Sequence, residues 1–97
     1  LVLSDIHANW PALQAVAEEP HDLCLFLGDL VDYALEPSPC LEWVRRNCAY
    51  AVRGNHDHGA AHDVHVNGRA GFKFLTGMTR PLTRERLSSE ELRYLGR

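Results

Sequence analysis

Three short apolar runs constrain this chain more than any other feature, because each is broken off at once by a cluster of acids, amides and imidazoles. They are Leu1-Val2-Leu3, Leu23-Cys24-Leu25-Phe26-Leu27 and Ala49-Tyr50-Ala51-Val52. Each run is continuous rather than alternating, the pattern of strands buried on both faces in a parallel sheet. Helical patterns fill the intervals. The first runs from about Trp10 to Glu18. Asn9 is placed to cap it, Pro11 fits its first turn, Leu13, Val16 and Ala17 give the apolar stripe, and Pro20 stops it. The second runs from about Pro39 to Asn47, with Ser38 as cap and Leu41, Val44 and Cys48 inward. The order is strand, helix, strand, helix, strand. Right-handed crossovers make such strands parallel and bring their carboxyl ends to one edge. Ligands of open α/β sheets bind along that edge.

The remainder is less regular. His58 to Gly71 is rich in His, Gly and Asn and reads as loop. Phe72 to Leu87 has helical composition that Gly77 and Pro81 interrupt. Ser88 with Glu91 forms a capping box, opening a short helix through Leu95 that Gly96 stops.

With 97 residues, 45% hydrophobic and 24% charged, the chain fits one globular domain or part of one. A net charge of −3 excludes a strongly basic nucleic-acid binder. The charge is uneven. Residues 1–48 carry two basic against eight acidic groups, net −6, and residues 49–97 eight against five, net +3. An acidic first half suits metal binding and a basic second half suits phosphate, while solvated helix faces account for the same asymmetry. No apolar run reaches the ~18 residues of a membrane span, and no secretory leader is visible. The chain opens in an apolar run without Met, so a few residues are expected before Leu1. The three cysteines do not make a disulfide framework. Cys40 and Cys48, on one predicted helix, lie roughly 12 Å apart, beyond the ~7 Å a disulfide tolerates. Scattered cysteines suit a reducing cytoplasm.

The chemistry lies in the polar clusters. They are Ser4-Asp5-Ile6-His7, Gly28-Asp29 and Arg53-Gly54-Asn55-His56-Asp57, all expected at the common edge. Asp5, His7, Asp29 and Asn55 offer carboxylate, imidazole and amide oxygen, a donor set that suits Mn, Fe or Zn. Asp5 and His7 stand two apart, so an extended segment points both the same way. Gly28 and Gly54 allow close backbone approach. A carboxylate at a central strand end can bridge two ions about 3.5–4 Å apart. Alone, Asp-x-His or Gly-Asp is an ordinary turn. Their occurrence in order, each directly after a buried-strand pattern, carries the inference.

Ser4-Asp5-Ile6-His7-Ala8-Asn9, Leu27-Gly28-Asp29-Leu30-Val31-Asp32 and Val52-Arg53-Gly54-Asn55-His56-Asp57 together resemble the first three motifs of the calcineurin-like metallophosphoesterases. The resemblance implies a four-layer α/β sandwich, of which residues 1–97 form the N-terminal βαβαβ part plus helices. It implies hydrolysis of phosphate esters, as a phosphodiesterase or phosphomonoesterase, at a two-metal site with metal-bound hydroxide as nucleophile. Asp5 and His7 would bind the first ion, Asp29 both, and Asn55 the second. His56 would lie by the leaving group, with Asp57 orienting it. Arg53 and Asn9 are candidates for substrate phosphate, although Arg53 also reads as a strand-end surface charge and Asn9 as a helix cap. Asp32 reads as a support or a solvated acid. Trp10 and Trp43 read as packing.

The family's later histidines have no counterpart here, so the chain is expected to be the N-terminal portion of one domain whose remaining ligands lie outside it. His58, His62 and His65 come too early for those ligands and read as surface, and His21 as inert. Two other readings share the motifs: a serine/threonine protein phosphatase, and a non-catalytic metal-binding remnant of the fold. A third reading, a dinucleotide-binding α/β domain, is disfavoured, since no Gly-x-Gly-x-x-Gly follows any strand. The expected partner is a phosphate-ester substrate, with nucleic acid entering only as such a substrate and no membrane. The oligomeric state is not readable.

Overall fold

In the computed structural model, which describes residues 1–64, 66 and 71–97, each apolar run supplies one strand of a parallel sheet. The strands are β1 (Val2–Leu3), β2 (Leu25–Phe26) and β3 (Tyr50–Ala51), in the order β1-β2-β3. Val2, Leu25 and Tyr50 share one row of the register, and Leu3, Phe26 and Ala51 the next. Bonding runs past these short strands: Leu27 N donates to Leu3 O at 2.8 Å and Val52 N to Phe26 O at 3.0 Å. Helices α1 (Trp10–Ala17) and α2 (Pro37–Asn47) connect the strands, and α3 (Asn55–His62), α4 (Gly71–Arg86) and α5 (Ser89–Leu95) follow. The α/β class and the βαβαβ order with added helices are those the sequence implies.

The expectation that the strands are buried on both faces needs correction. A sheet ordered β1-β2-β3 winds in one direction, so right-handed crossovers place α1 and α2 on the same face, where they touch each other. That face holds the core, which joins Phe26, Leu13, Leu41, Val44, Leu30 and Val31 to Ala60, Leu87 and Leu95. The other row stays open, with Val2 61% and Tyr50 73% exposed.

Asn9 caps α1 as expected, its Oδ1 accepting from Ala12 N at 3.3 Å, with Pro11 in the first turn. Ser38 does not cap α2. The helix starts at Pro37, preceded by Glu36 without a side-chain cap bond. Pro37 is preset for a first turn and has no N–H to satisfy. Ser38 instead donates to Glu91 Oε2 at 2.7 Å, tying α2 to α5. The cap of α5 is the expected box: Glu91 N donates to Ser88 Oγ at 3.1 Å, and Ser88 N to Glu91 Oε1 at 2.9 Å.

Two further segments depart from expectation. Residues 58–62, read as loop, complete α3, a helix with no strong apolar stripe. It is fixed from its first turn by Asp57, described below. His65 lies outside the described residues. Helix α4 runs unbroken through Gly77 and Pro81. A proline ring meets the carbonyl four residues earlier. Here that residue is Gly77, whose backbone relaxes most freely. Arginines also fasten α4: Arg84 Nη1 donates to Ala60 O and Ala61 O, and Arg86 Nη1 to Leu35 O. Much of the basic second half thus binds the chain's own carbonyls.

The cysteines are free. Cys24 and Cys48 bring their sulfurs to 3.1 Å beneath the sheet's opposite edge. Burial, with the Cys24 sulfur alongside, pushes the Cys48 thiol up to about 12, so it is a packing group rather than a nucleophile. Among the described residues no helix is long and apolar enough to cross a membrane.

Candidate metal centre

The three strand ends meet because two glycines let their backbones touch. A Cβ on Gly28 would lie 2.8 Å from Gly54 N, and one on Gly54 would lie 2.2 Å from Asp29 Oδ1. Cross-strand bonds then fix the loops: Asp5 N donates to Gly28 O at 2.9 Å, His7 N to Asp29 O at 3.1 Å and Ala8 N to Leu30 O at 2.7 Å. The backbone is strained here. Asp5, His7, Ala8, Asp29, Asp32 and Tyr33 all have φ between 48° and 71°. Non-glycine residues seldom adopt that region, and such strain gathers at functional sites.

The result is a cluster of three ligand groups. Asp5, His7 and Asp29 each present one donor atom, and these lie within 4.8 Å of one another. His7 Nδ1 donates to Val31 O at 2.8 Å, which leaves Nε2 with its lone pair, 3.5 Å from Asp5 Oδ1. Metal-binding histidines are held in this way, one nitrogen on a carbonyl and the other toward the ion. The Ser4 hydroxyl bonded to Asp5, with His7 alongside, holds that carboxyl below its ordinary value and keeps it an anion. The donors present therefore fit a divalent ion. Asn55 opens α3 at the same edge and is exposed, directly after the glycine that abuts Asp29.

His56 is tied to the cluster through its backbone, N donating to Asp29 Oδ1 at 3.0 Å. Its ring stands edge-on to His7, with centroids 4.9 Å apart. The residue that orients it is Asp32, not Asp57. His56 Nδ1 lies 2.9 Å from Asp32 Oδ2, and Asp32 is fully buried. Arg80 balances that buried carboxylate, with Nε 3.0 Å from both its oxygens and Nη2 2.6 Å from Oδ2. Gly59 leaves room for the guanidinium, since a Cβ there would lie 2.8 Å from Arg80 Nη1.

Asp57 turns its carboxylate inward, to the backbone. It accepts from Leu30 N at 2.7 Å, Asp29 N at 2.9 Å and Gly54 N at 3.0 Å. Burial pushes its pKa up, against the pull of those three donors. It caps α3 and locks the Asp29 turn at once, so its role is to hold the ligand loop. The phosphate role expected for Arg53 finds no support in its contacts: its Nη1 donates to Gly96 O at 2.7 Å, at the end of α5. Asn9 lines a cleft of about 190 Å³ with Ser4, Asp5 and Leu13, which takes in neither His7 nor Asp29. His58 and His62 are exposed on α3, and His21 is exposed with Nδ1 on Glu19 O at 2.8 Å.

Sequence reasoning underweighted Asp32, whose signal was its place three residues after Asp29 on the same strand-end loop. It missed Tyr33, which touches both imidazoles, and Arg80, which no local pattern distinguishes from a surface arginine.

Strand-end acids and an imidazole thus meet at one edge of a parallel sheet, with donors that could hold a metal ion. The sequence matches the calcineurin-like phosphoesterase family over residues 1–94, and the chain belongs to that family. The chain is similar to the metallophosphoesterase of Sphaerobacter thermophilus, whose crystal structure superposes with a TM-score of 0.76 at 34% identity, covering 98% of this chain and 39% of that one. An uncharacterized protein of Methanocaldococcus jannaschii, MJ0912, is 40% identical over 62 residues, which make up 60% of this chain and 26% of that protein. The chain thus spans well under half the length of either relative.

Proposed function

We propose that the whole protein hydrolyses phosphate esters at this edge, with residues 1–97 forming the N-terminal portion of a single domain. The observation that carries the reading is the meeting of Asp5, His7 and Asp29 within 4.8 Å, beside a histidine held by a buried carboxylate. Two divalent ions, Mn, Fe or Zn, suit these donors. Asp5 and His7 would hold the first, Asp29 both, and Asn55 the second. Further ligands would complete both coordination shells. When bound, such ions neutralise charge on the phosphoryl oxygens and activate water.

The chain's own groups do the rest. A water oxygen adds to phosphorus as the ester P–O bond breaks. With Nδ1–H donated to Asp32, a doubly protonated His56 would give its Nε2 proton to the departing oxygen, and the proton released by the attacking water would restore it. Asp57 keeps the Asp29 turn closed, and Asn9 would meet a phosphoryl oxygen from the Asp5 side. Arg80 prevents Asp32 from turning away.

The test is hydrolysis of bis(4-nitrophenyl) phosphate and 4-nitrophenyl phosphate by the whole protein, with metal content measured alongside. Asp29→Asn is expected to lose metal and activity together. His56→Ala is expected to keep its metal and turn over about 10²- to 10⁴-fold more slowly. Unchanged turnover in both variants would overturn the reading.

A further inference from the structure

Beside the metal cluster stands an aromatic surface with no part in the chemistry above. Tyr33 lies with its ring centroid 4.7 Å from that of His7 and 5.0 Å from that of His56. Phe72, at the start of α4, lies edge-on to Tyr33 at 5.9 Å and is 75% exposed. Tyr33 holds this place against its own backbone preference. Its φ is 70° and that of Asp32 is 71°, a left-handed region in which a bulky residue is a true outlier. The turn is pinned from α4, where Thr79 Oγ1 accepts from Tyr33 N at 3.1 Å. The bond to Thr79 and the Arg80–Asp32 pairing hold the phenol ring beside the two imidazoles in spite of that strain.

From this geometry we infer that Tyr33 and Phe72 form the wall against which the leaving group lies, and that the substrates are phosphate esters whose leaving group carries a flat aromatic ring. The inference rests on the phosphoesterase reading and names the substrate class within it. The Tyr33 hydroxyl lies 3.4 Å from His56 Nε2, the long limit of a hydrogen bond. An ester oxygen that reaches Nε2 shares that space with the phenol oxygen, so the ring attached to it lies against the Tyr33 ring. A planar group attached to that oxygen then runs past Tyr33 toward Phe72, where offset or edge-on contact is favourable. An alkyl leaving group finds the same position for its oxygen but no matching surface.

The test uses the whole protein and two hydrolysis-resistant probes, benzylphosphonate and ethylphosphonate, so that the greater reactivity of aryl esters does not enter. Competitive inhibition and direct calorimetric binding are measured for each. Benzylphosphonate is expected to bind about 3- to 10-fold more tightly. Phe72→Ala is expected to abolish most of that preference, and Phe72→Tyr to restore it. In hydrolysis, the ratio of kcat/KM for phenyl phosphate to that for ethyl phosphate falls by the same factor in Phe72→Ala, chiefly through KM. A preference that survives Phe72→Ala, or equal binding of the two probes, would overturn the aromatic wall and leave the phosphoesterase reading standing. Failure of the unaltered protein to hydrolyse these monoesters and bis(4-nitrophenyl) phosphate alike would overturn the underlying reading itself.

Discussion

Asp57, in the first turn of α3, and Asp32, in the segment after β2, are buried carboxylates with different tasks. Asp57 accepts three backbone donors, two of them on one oxygen. Asp57→Asn would turn an amide N–H₂ toward N–H groups that need an acceptor, and is expected to cost about 1–3 kcal/mol, read by urea denaturation at neutral pH. Its titration has a definite sign. The folded pKa is raised above the ordinary 3.8, mainly by burial. This contribution to stability is therefore complete below 3.8 and is lost as pH climbs through the folded value. The stability of the unaltered protein relative to Asp57→Asn is expected to be larger at pH 3 than at pH 7, and an equal or smaller margin would contradict the assignment. Asp5, His7 and Asp29 were legible because their position after apolar runs fixes where they go. The direction of the Asp57 carboxylate was not, since its partners Asp29 and Leu30 lie nearly thirty residues away in sequence. Arg80 has the same difficulty: pairing across 48 positions leaves no local trace.

At the scale of elements, the glycines and the proline set the geometry. Gly54 lies against Asp29, so Gly54→Ala is expected to push that carboxylate aside, destabilise the fold by about 1–3 kcal/mol and weaken metal binding at least tenfold. Calorimetric metal titration with parallel denaturation checks both parts. Pro81 removes a donor inside α4. Pro81→Ala restores it and is expected to stabilise the protein by about 1–3 kcal/mol, seen as a raised denaturation midpoint. The five elements of the βαβαβ unit could be read from hydrophobic runs and caps. Helix α3 could not, because its stability comes from Asp57 and from packing rather than from its own periodicity. The continuity of α4 was hidden for a related reason: Gly77 offsets Pro81, and the arginines that hold the helix act on partners far along the chain.

For the molecule as a whole, one face of the sheet is covered by α1 and α2 and the other is open. Val2, Leu23, Leu27, Tyr50 and Val52 are all more than half exposed. An apolar surface of this kind promotes association. Prepared as 97 residues alone, the chain is expected to bind a hydrophobic dye and self-associate with rising concentration, and Val2→Lys with Tyr50→Lys to reduce both. A monomer indifferent to those substitutions would contradict this. At the ligand-bearing rim one claim is central, that side chains from separate strand ends grip a common cation. Electron paramagnetic resonance of Mn²⁺ binding to the whole protein tests it most directly. Asp5→Asn, His7→Ala and Asp29→Asn are each expected to weaken the tightest site at least tenfold while leaving the far-ultraviolet circular dichroism unchanged. Undiminished Mn²⁺ affinity in all three variants would contradict the account.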